Sequence, residues 1–401
     1  MNTLSKPTQD MLAALREWGL THVRPLAREA DRLHRAPPGA LEVLSHAPAR
    51  MSLDGGKAAA GSKESPGMIG GLVAEAMAFG DVWAIFSGGR GGGLGNAVVQ
   101  GMGTPAQKER WLKAVNGRPP SGAFALTEPH FGSDPSQVAT TARREGDTWL
   151  LNGTKMYCSG GADADYVVVF ATIDKEAGRH AIRAFVVEKG TPGCTVTKAN
   201  EDKLGIRAAQ TSELVYENCR VPLDHCLGFT EQRTAPEPGK GGDRPLSGFV
   251  GALASMSGTR PTLAGVAIGL ARASRQVASD WADARRDQFT PARWQRIQED
   301  FQRMDYALDH ARRHVLRALW QKDQGIMNRR AASSAKAFGP PIAERVIRRC
   351  LQIMGPDGAS HEYLVEKWYR DVKIFDIFEG SGQIQRITIA RELMGPNAAR
   401  G

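Results

Sequence analysis

The 401 residues carry 52 Lys plus Arg against 43 Asp plus Glu, a formal charge of +9, and 41% are apolar, an ordinary share for a chain that buries a sizeable core. The basic surplus suits any polyanion, CoA or a dinucleotide included, but no block of consecutive basic residues interleaved with aromatics argues for nucleic-acid binding. No apolar run nears the roughly 18 residues of a membrane span, and MNTLSKPTQDMLAALREWGL lacks both a basic start and an unbroken apolar core, so a cytoplasmic location is expected. Cys158, Cys194, Cys219, Cys226 and Cys350 show no CxxC spacing, which predicts reduced, packed thiols and no metal site.

From about residue 8 to 119 the pattern is helical, in amphipathic pieces such as MLAALREWGL, ALEVL, GLVAEAMAFG and TPAQKERWLKAV. In the last of these, Thr104 reads as N-cap and Pro105 as the first helical residue. Gly-rich stretches at 54–71 and 88–95 lie between the pieces. GGRGGGLG lacks both the GxGxxG register and a preceding buried strand, which predicts a turn between helices rather than a phosphate loop.

From about 121 to 228 the period becomes two, in DTWLLNGTKMYCS, DYVVVFATID, HAIRAFVVEKG and TSELVYENCRVP, and Asn152-Gly153 predicts a hairpin inside the first. Residues 231–247, rich in Pro, Gly and charge, predict a linker. Beyond it the helical period returns. Trp294, Ile297, Phe301, Met304, Leu308, Ala311, Val315 and Leu319 form one stripe of a helix of about seven turns. Leu263 to Val277 and Ile342 to Leu351 form two more, and with Ile384 to Met394 they predict a four-helix bundle. The expected fold is therefore α+β: an N-terminal α-domain (1–120), a mostly antiparallel β-domain (121–230), and a C-terminal bundle (248–401). No βαβ alternation supports a Rossmann domain.

Three segments carry a resemblance: FALTEPHFGSD at 124–134, KLGIRAAQTSELVYENCRVP at 203–222, and RDVKIFDIFEGSGQIQRITIAREL at 370–393. In order and spacing they resemble acyl-CoA dehydrogenases, with a looser match from roughly residue 10 to 396. The resemblance implies FAD at the junction of β-domain and bundle, an acyl-CoA or other acyl thioester as substrate, and α,β-dehydrogenation to a trans-2-enoyl product. It implies an electron-transfer flavoprotein as acceptor and a homotetramer. On residues alone Glu379 reads as a loop carboxylate. The match of FDIFEGSGQIQR to the family's YEGT-type motif makes it the base for the α-proton, flanked on the substrate side by Phe378 and Gly380. One family branch carries its base just before an arginine on a bundle helix, where this chain has Thr259 before Arg260, and threonine cannot serve.

For the flavin ring the resemblance points to Phe124, Leu126 and the Thr127 hydroxyl, with Tyr157 covering the ring and Ser159 near its N5, where the β-hydride would arrive. Two apart on a strand, Tyr157 and Ser159 share a face. Arg286 and Phe289 match an RxxF segment that meets the flavin pyrophosphate of a neighbouring subunit, as a guanidinium suits phosphate. Gln352 and Gly355 of QIMGPDGAS, with Ser381 and Gln383, complete the expected FAD contacts. Ser133 corresponds to a hydroxyl near the pantetheine arm, and Arg260 to the helix lining the acyl cavity. Departures from the family pattern are FTPARWQ, which is shortened, Pro356 in place of a glycine, His130-Phe131 in place of Gly-Ala, and the segment 47–68. Two alternatives stay open: a flavin acyl-CoA oxidase on the same fold, and a non-catalytic subunit of a mixed complex.

Overall fold

The computed structural model describes residues 4–48, 62–86, 93–229, 248–326 and 329–395. The predicted linker at 231–247, residues 49–61 of the departing segment and 88–92 of the second Gly-rich stretch lie outside them. The chain opens with α1 (Lys6–Trp18), α2 (Ala27–Leu33), α3 (Ala40–Ser45), α4 (Pro66–Gly80), α5 (Trp83–Phe86), α6 (Leu94–Met102) and α7 (Pro105–Leu112). Among the described residues seven strands follow: β1 (Gly122–Ala125), β2 (Thr141–Glu145), β3 (Thr148–Ser159), β4 (Tyr166–Thr172), β5 (Ile182–Glu188), β6 (Cys194–Lys198) and β7 (Thr211–Pro222). The bundle helices are α8 (Gly248–Asp283), α9 (Pro291–Asp323), α10 (Arg329–Met354), the short α11 (Val365–Val372) and α12 (Gly382–Met394). Among the described residues no helix is long and apolar enough to cross a membrane.

Two units divide the chain. The first holds Met1–Gly88, Lys203–Ala208 and Ser257–Gly401, the second Gly89–Asp202 and Ala209–Met256. In the second unit one sheet runs β1-β4-β2-β3-β7-β6, with β5 on β4. Its pairs are antiparallel except β1 with β4 and the single Thr141–Thr172 contact of β2 with β4. β4 is buried on both faces: Val167, Val169 and Ala171 join Ala125, Phe185 and Val187, while Val168 and Phe170 join Ile182, Val186 and, from α6 and α7, Val98 and Trp111. That double burial is why YVVVFAT is a continuous apolar run instead of an alternating one. Thr104 caps α7 as predicted, in a capping box with Gln107.

One turn expectation is corrected. Asn152-Gly153 makes no hairpin: β3 runs straight through it, and the β2–β3 hairpin closes between Glu145 and Thr148. The pairing of β3 with β7 shifts register between Leu151 and Gly153, and Gly153 stands at φ +149 with a would-be Cβ 2.4 Å from Thr140 Oγ1. The glycine serves a bulge and a close approach instead of a turn.

In the first unit the predicted stripes face inward: Ile297, Phe301, Met304, Leu308, Ala311, Val315 and Leu319 of α9 are buried, Trp294 half so. α9 is longer than expected, 33 residues or about nine turns. An ion cluster closes beneath α11: Lys367 Nζ reaches both Asp81 carboxylate oxygens at 2.9 Å and Asp371 Oδ2 at 2.6 Å, all three groups being buried. Trp368 Nε1 donates to Asp81 at 2.8 Å and the Ile206 amide to Asp371 at 2.5 Å, so every buried charge in the cluster is paired and its oxygens are hydrogen-bonded.

Candidate active site

Glu379 lies in the first unit, on the loop entering α12. Its φ of 55° and that of 90° at Gly380 place two consecutive residues in the left-handed region, a conformation a glutamate holds only when its surroundings impose it. Three buried side chains impose it. Arg260 Nε of α8 donates to the Glu379 carbonyl at 3.0 Å, Gln385 Nε2 of α12 to the Gly380 carbonyl at 3.0 Å, and Lys336 Nζ of α10 to the same carbonyl at 3.4 Å. Gly380 is required here, since a Cβ would come 2.5 Å from Gln385 Nε2.

The carboxylate itself accepts a 2.5 Å hydrogen bond at Oε2 from Thr259 Oγ1. Thus the threonine that stands where the other branch keeps its base is bonded to Glu379. Burial raises the Glu379 pKa above the ordinary carboxylate range, against the opposing effects of the Thr259 hydroxyl, Arg260 and Lys336. Pro261 within α8 cannot donate to the carbonyl of Ser257 one turn earlier, so the helix runs on without that one ladder hydrogen bond beside Thr259 and Arg260. Half-buried Phe378 forms a T-shaped pair with Phe375 at 5.4 Å and another with Phe86 at 6.2 Å, an apolar wall next to the base.

In the second unit the other predicted residues gather around the turn after β1. Phe124 packs on Phe170 at 5.0 Å; Leu126 is buried, and Thr127 is half-buried. The Thr127 carbonyl accepts from the Met156 amide at 2.9 Å, tying this turn to the Tyr157 region. Below it, buried Lys155 donates to the Leu126 carbonyl at 3.1 Å and pairs with Glu128 Oε1 at 2.8 Å. Glu128 in turn accepts from the amides of Ala139 and Thr140 at 2.7 and 2.9 Å. A bulge between Lys155 and Cys158 puts Lys155 inside while Tyr157 and Ser159 face out on either side of buried Cys158. Tyr157 is 58% exposed at φ 55°, an aromatic face turned to solvent and held in a left-handed backbone. The exposed Tyr157 ring and the exposed Ser159 lie on the strand that the Met156–Thr127 backbone bond ties to the turn after β1. Ser133 is exposed on the loop beyond the Glu128–Phe131 turn.

The segments expected at the pyrophosphate meet in the first unit. Asp357, in the 3-10 turn that begins at Gly355, takes 2.7 and 3.2 Å contacts from Trp281 Nε1 and Arg285, next to Arg286. Arg286 is exposed over the Trp294 ring at 5.4 Å, and Phe289 stacks on Trp294 at 6.3 Å. Gln352 is exposed and accepts from Arg349 at 3.1 Å. Ser381 is the N-cap of α12, its Oγ accepting from the Ile384 amide, and Gln383 is exposed two residues on. Arg286 and Gln352 thus present polar groups to solvent.

Sequence reasoning passed over Lys336, Gln385 and Lys155. For Lys336 a signal existed: Ala332, Lys336, Gly339, Ala343, Val346 and Cys350 are spaced as one buried stripe, and a lysine on such a stripe is anomalous.

Known proteins match these regions. A model of the acyl-CoA dehydrogenase middle domain matches residues 123–219, and one of the acyl-CoA dehydrogenase C-terminal domain residues 247–394. The mitochondrial short-chain specific acyl-CoA dehydrogenase of Rattus norvegicus is 37% identical over 294 residues, 73% of this chain and 68% of that protein. A 3-(aryl)acrylate reductase of Clostridium sporogenes is 35% identical over 73% of this chain and 74% of its own length. Among solved structures, butyryl-CoA dehydrogenase from Megasphaera elsdenii superimposes with a TM-score of 0.84 at 30% identity, over 98% of this chain and 100% of that one.

Proposed function

This chain belongs to the acyl-CoA dehydrogenase family and is an FAD-dependent oxidoreductase acting on CH–CH bonds, and from that premise we propose that Glu379 abstracts the α-proton of an acyl-CoA in α,β-dehydrogenation. The observation that carries the proposal is the Glu379 loop: a carboxylate of raised pKa, bonded to Thr259 and locked by Arg260, Gln385 and Lys336, at the family's base position. A general base works best with a pKa drawn toward working pH, and its carboxylate must be held still against a weak carbon acid. FAD, when bound, supplies the acceptor for the hydride that leaves the β-carbon.

Within the chain, Phe124, Leu126, Thr127, Tyr157 and Ser159 hold the flavin ring in this reading, and Arg286, Phe289, Gln352, Gly355, Ser381 and Gln383 the ADP portion. Phe378, Gly380, Arg260 and Ser133 shape the thioester side. The short-chain and butyryl-CoA relatives favour a short acyl group, and the aryl-acrylate relative makes an aromatic one the next to try. An electron-transfer flavoprotein is the acceptor we propose.

The test is anaerobic titration of the yellow holoprotein with butyryl-CoA, then with longer, branched and aryl acyl-CoA thioesters. Bleaching by one of them supports the proposal. A yellow protein indifferent to every thioester contradicts the substrate class, and a colourless protein that refolding with FAD does not colour contradicts the catalytic role.

A further inference from the structure

Among the described residues three lysines are buried, in different company. Lys155 has Glu128 at 2.8 Å, and Lys367 has Asp371 at 2.6 Å and Asp81 at 2.9 Å. A buried ammonium is costly unless a carboxylate closes on it, and these two meet that condition. Lys336 is as deeply buried, yet the oxygen it reaches is the Gly380 carbonyl at 3.4 Å, and its ammonium sits 5.8 Å from the Phe378 ring centroid. The negative groups in its field are Glu379 and Asp376, both on the loop before α12.

We infer that Lys336 is a positioning residue for Glu379: its ammonium anchors the left-handed Glu379-Gly380 pair and favours the ionised form of the carboxylate. The inference rests on Glu379 being the base. An apolar residue would fill the α10 stripe at less cost, so packing does not account for a lysine at this position. A cation fixed beside a carboxylate lowers the pKa that burial has raised, and it does so without occupying the carboxylate oxygens. Those oxygens stay available to a proton, which a direct salt bridge like that of Lys155 would obstruct.

The other groups facing the loop differ in kind. Arg260 of α8 donates to the Glu379 backbone, with Arg329 of α10 in its field. Thr259 is neutral. Lys322 of α9 lies near Gly258, its Nζ 3.2 Å from where a Cβ on that glycine would be. Burial lowers Arg260 as well, and it draws Lys336 down to about 8, within reach of neutral pH.

The experiment compares wild-type, Lys336→Met and Lys336→Gln holoenzymes by anaerobic stopped-flow bleaching of the flavin with saturating butyryl-CoA, from about pH 6 to about pH 9. If butyryl-CoA is not the substrate, whichever thioester bleaches the wild type takes its place. Loss of the cation is expected to move the acidic limb of the rate profile up by about one pH unit, a roughly tenfold loss on that limb that recovers at high pH. Flavin content and thioester affinity should stay as in wild type. Gln retains a donor for the Gly380 carbonyl, so it should reproduce the pH shift while sparing the high-pH plateau better than Met. Wild-type pH profiles in both variants, with only the unfolding temperature changed, would overturn the inference. Glu379→Gln run in parallel separates the two ideas: if it still bleaches at the wild-type rate, the base assignment itself fails, whatever the Lys336 variants do.

Discussion

Lys367 and Lys336 sit in the same helical unit, each buried, each on a bundle helix, and their surroundings push them in opposite directions. Burial lowers the proton affinity of both. At Lys367, Asp371 and Asp81 outweigh it and hold the ammonium above the ordinary lysine range; at Lys336, Glu379 and Asp376 do not, and the value drops to about 8. A lysine raised on folding adds stability in full below its unfolded pKa and loses it as pH rises through the folded value. A lysine lowered on folding withdraws stability as pH falls through the folded value, here about 8. At neutral pH the Lys367 cluster stabilises the fold, whereas Lys336 costs stability at the base. The contrast separates a charge kept for architecture from one kept beside chemistry.

The sharpest break of this comparison is Lys367→Met, which strands two buried aspartates and should cost about 3–5 kcal/mol in urea unfolding. Lys336→Met, by the same measurement, should leave the midpoint unchanged or raise it. If the two substitutions cost the same, the distinction is lost.

Next in size is Thr259→Val. It removes a hydroxyl that stabilises the ionised Glu379, so bleaching near neutral pH should slow by about tenfold and recover as pH rises. An unaltered rate would mean that the 2.5 Å bond has no bearing on the proton transfer.

The smallest effect concerns the base as a source of instability. Because the folded Glu379 carboxyl holds its proton more tightly than the unfolded one, stability drains as pH rises from the unfolded pKa through the folded one. Glu379→Gln should therefore unfold at a higher temperature than wild type at mildly alkaline pH, with the gap closing in acid. A lower unfolding temperature at every pH would contradict a strained, desolvated carboxylate.

Much of the architecture was legible in the residues because core burial repeats with the period of its element. The α9 stripe from Ile297 to Leu319 announces one-sided burial, whereas the strand through YVVVFAT was legible as a strand but not as one buried on both faces. Asn152-Gly153 misled because the freedom of glycine serves a bulge as well as a turn, and only the partner strand and Thr140 decide which. The bulge before Cys158 is the same lesson: strict alternation would put Lys155 beside Tyr157 and Ser159, but the extra residue turns it into the interior. At the candidate site, the motif around Glu379 was legible and its supports were not. Lys336, Gln385 and Thr259 lie 43, 6 and 120 residues from Glu379 in sequence, and their common target is a fact of packing. Lys336 was also disguised by type, since a lysine in a helix reads as a solvated face until its neighbours on the stripe are seen to be buried.

The most direct test of the central claim is the Glu379→Gln holoenzyme, mixed anaerobically with the thioester that bleaches the wild-type flavin. The expected result is a yellow protein that binds the thioester and keeps its colour, with the bleaching rate lowered by about 10²–10⁴-fold. Bleaching within a few-fold of the wild-type rate would show that another group takes the α-proton.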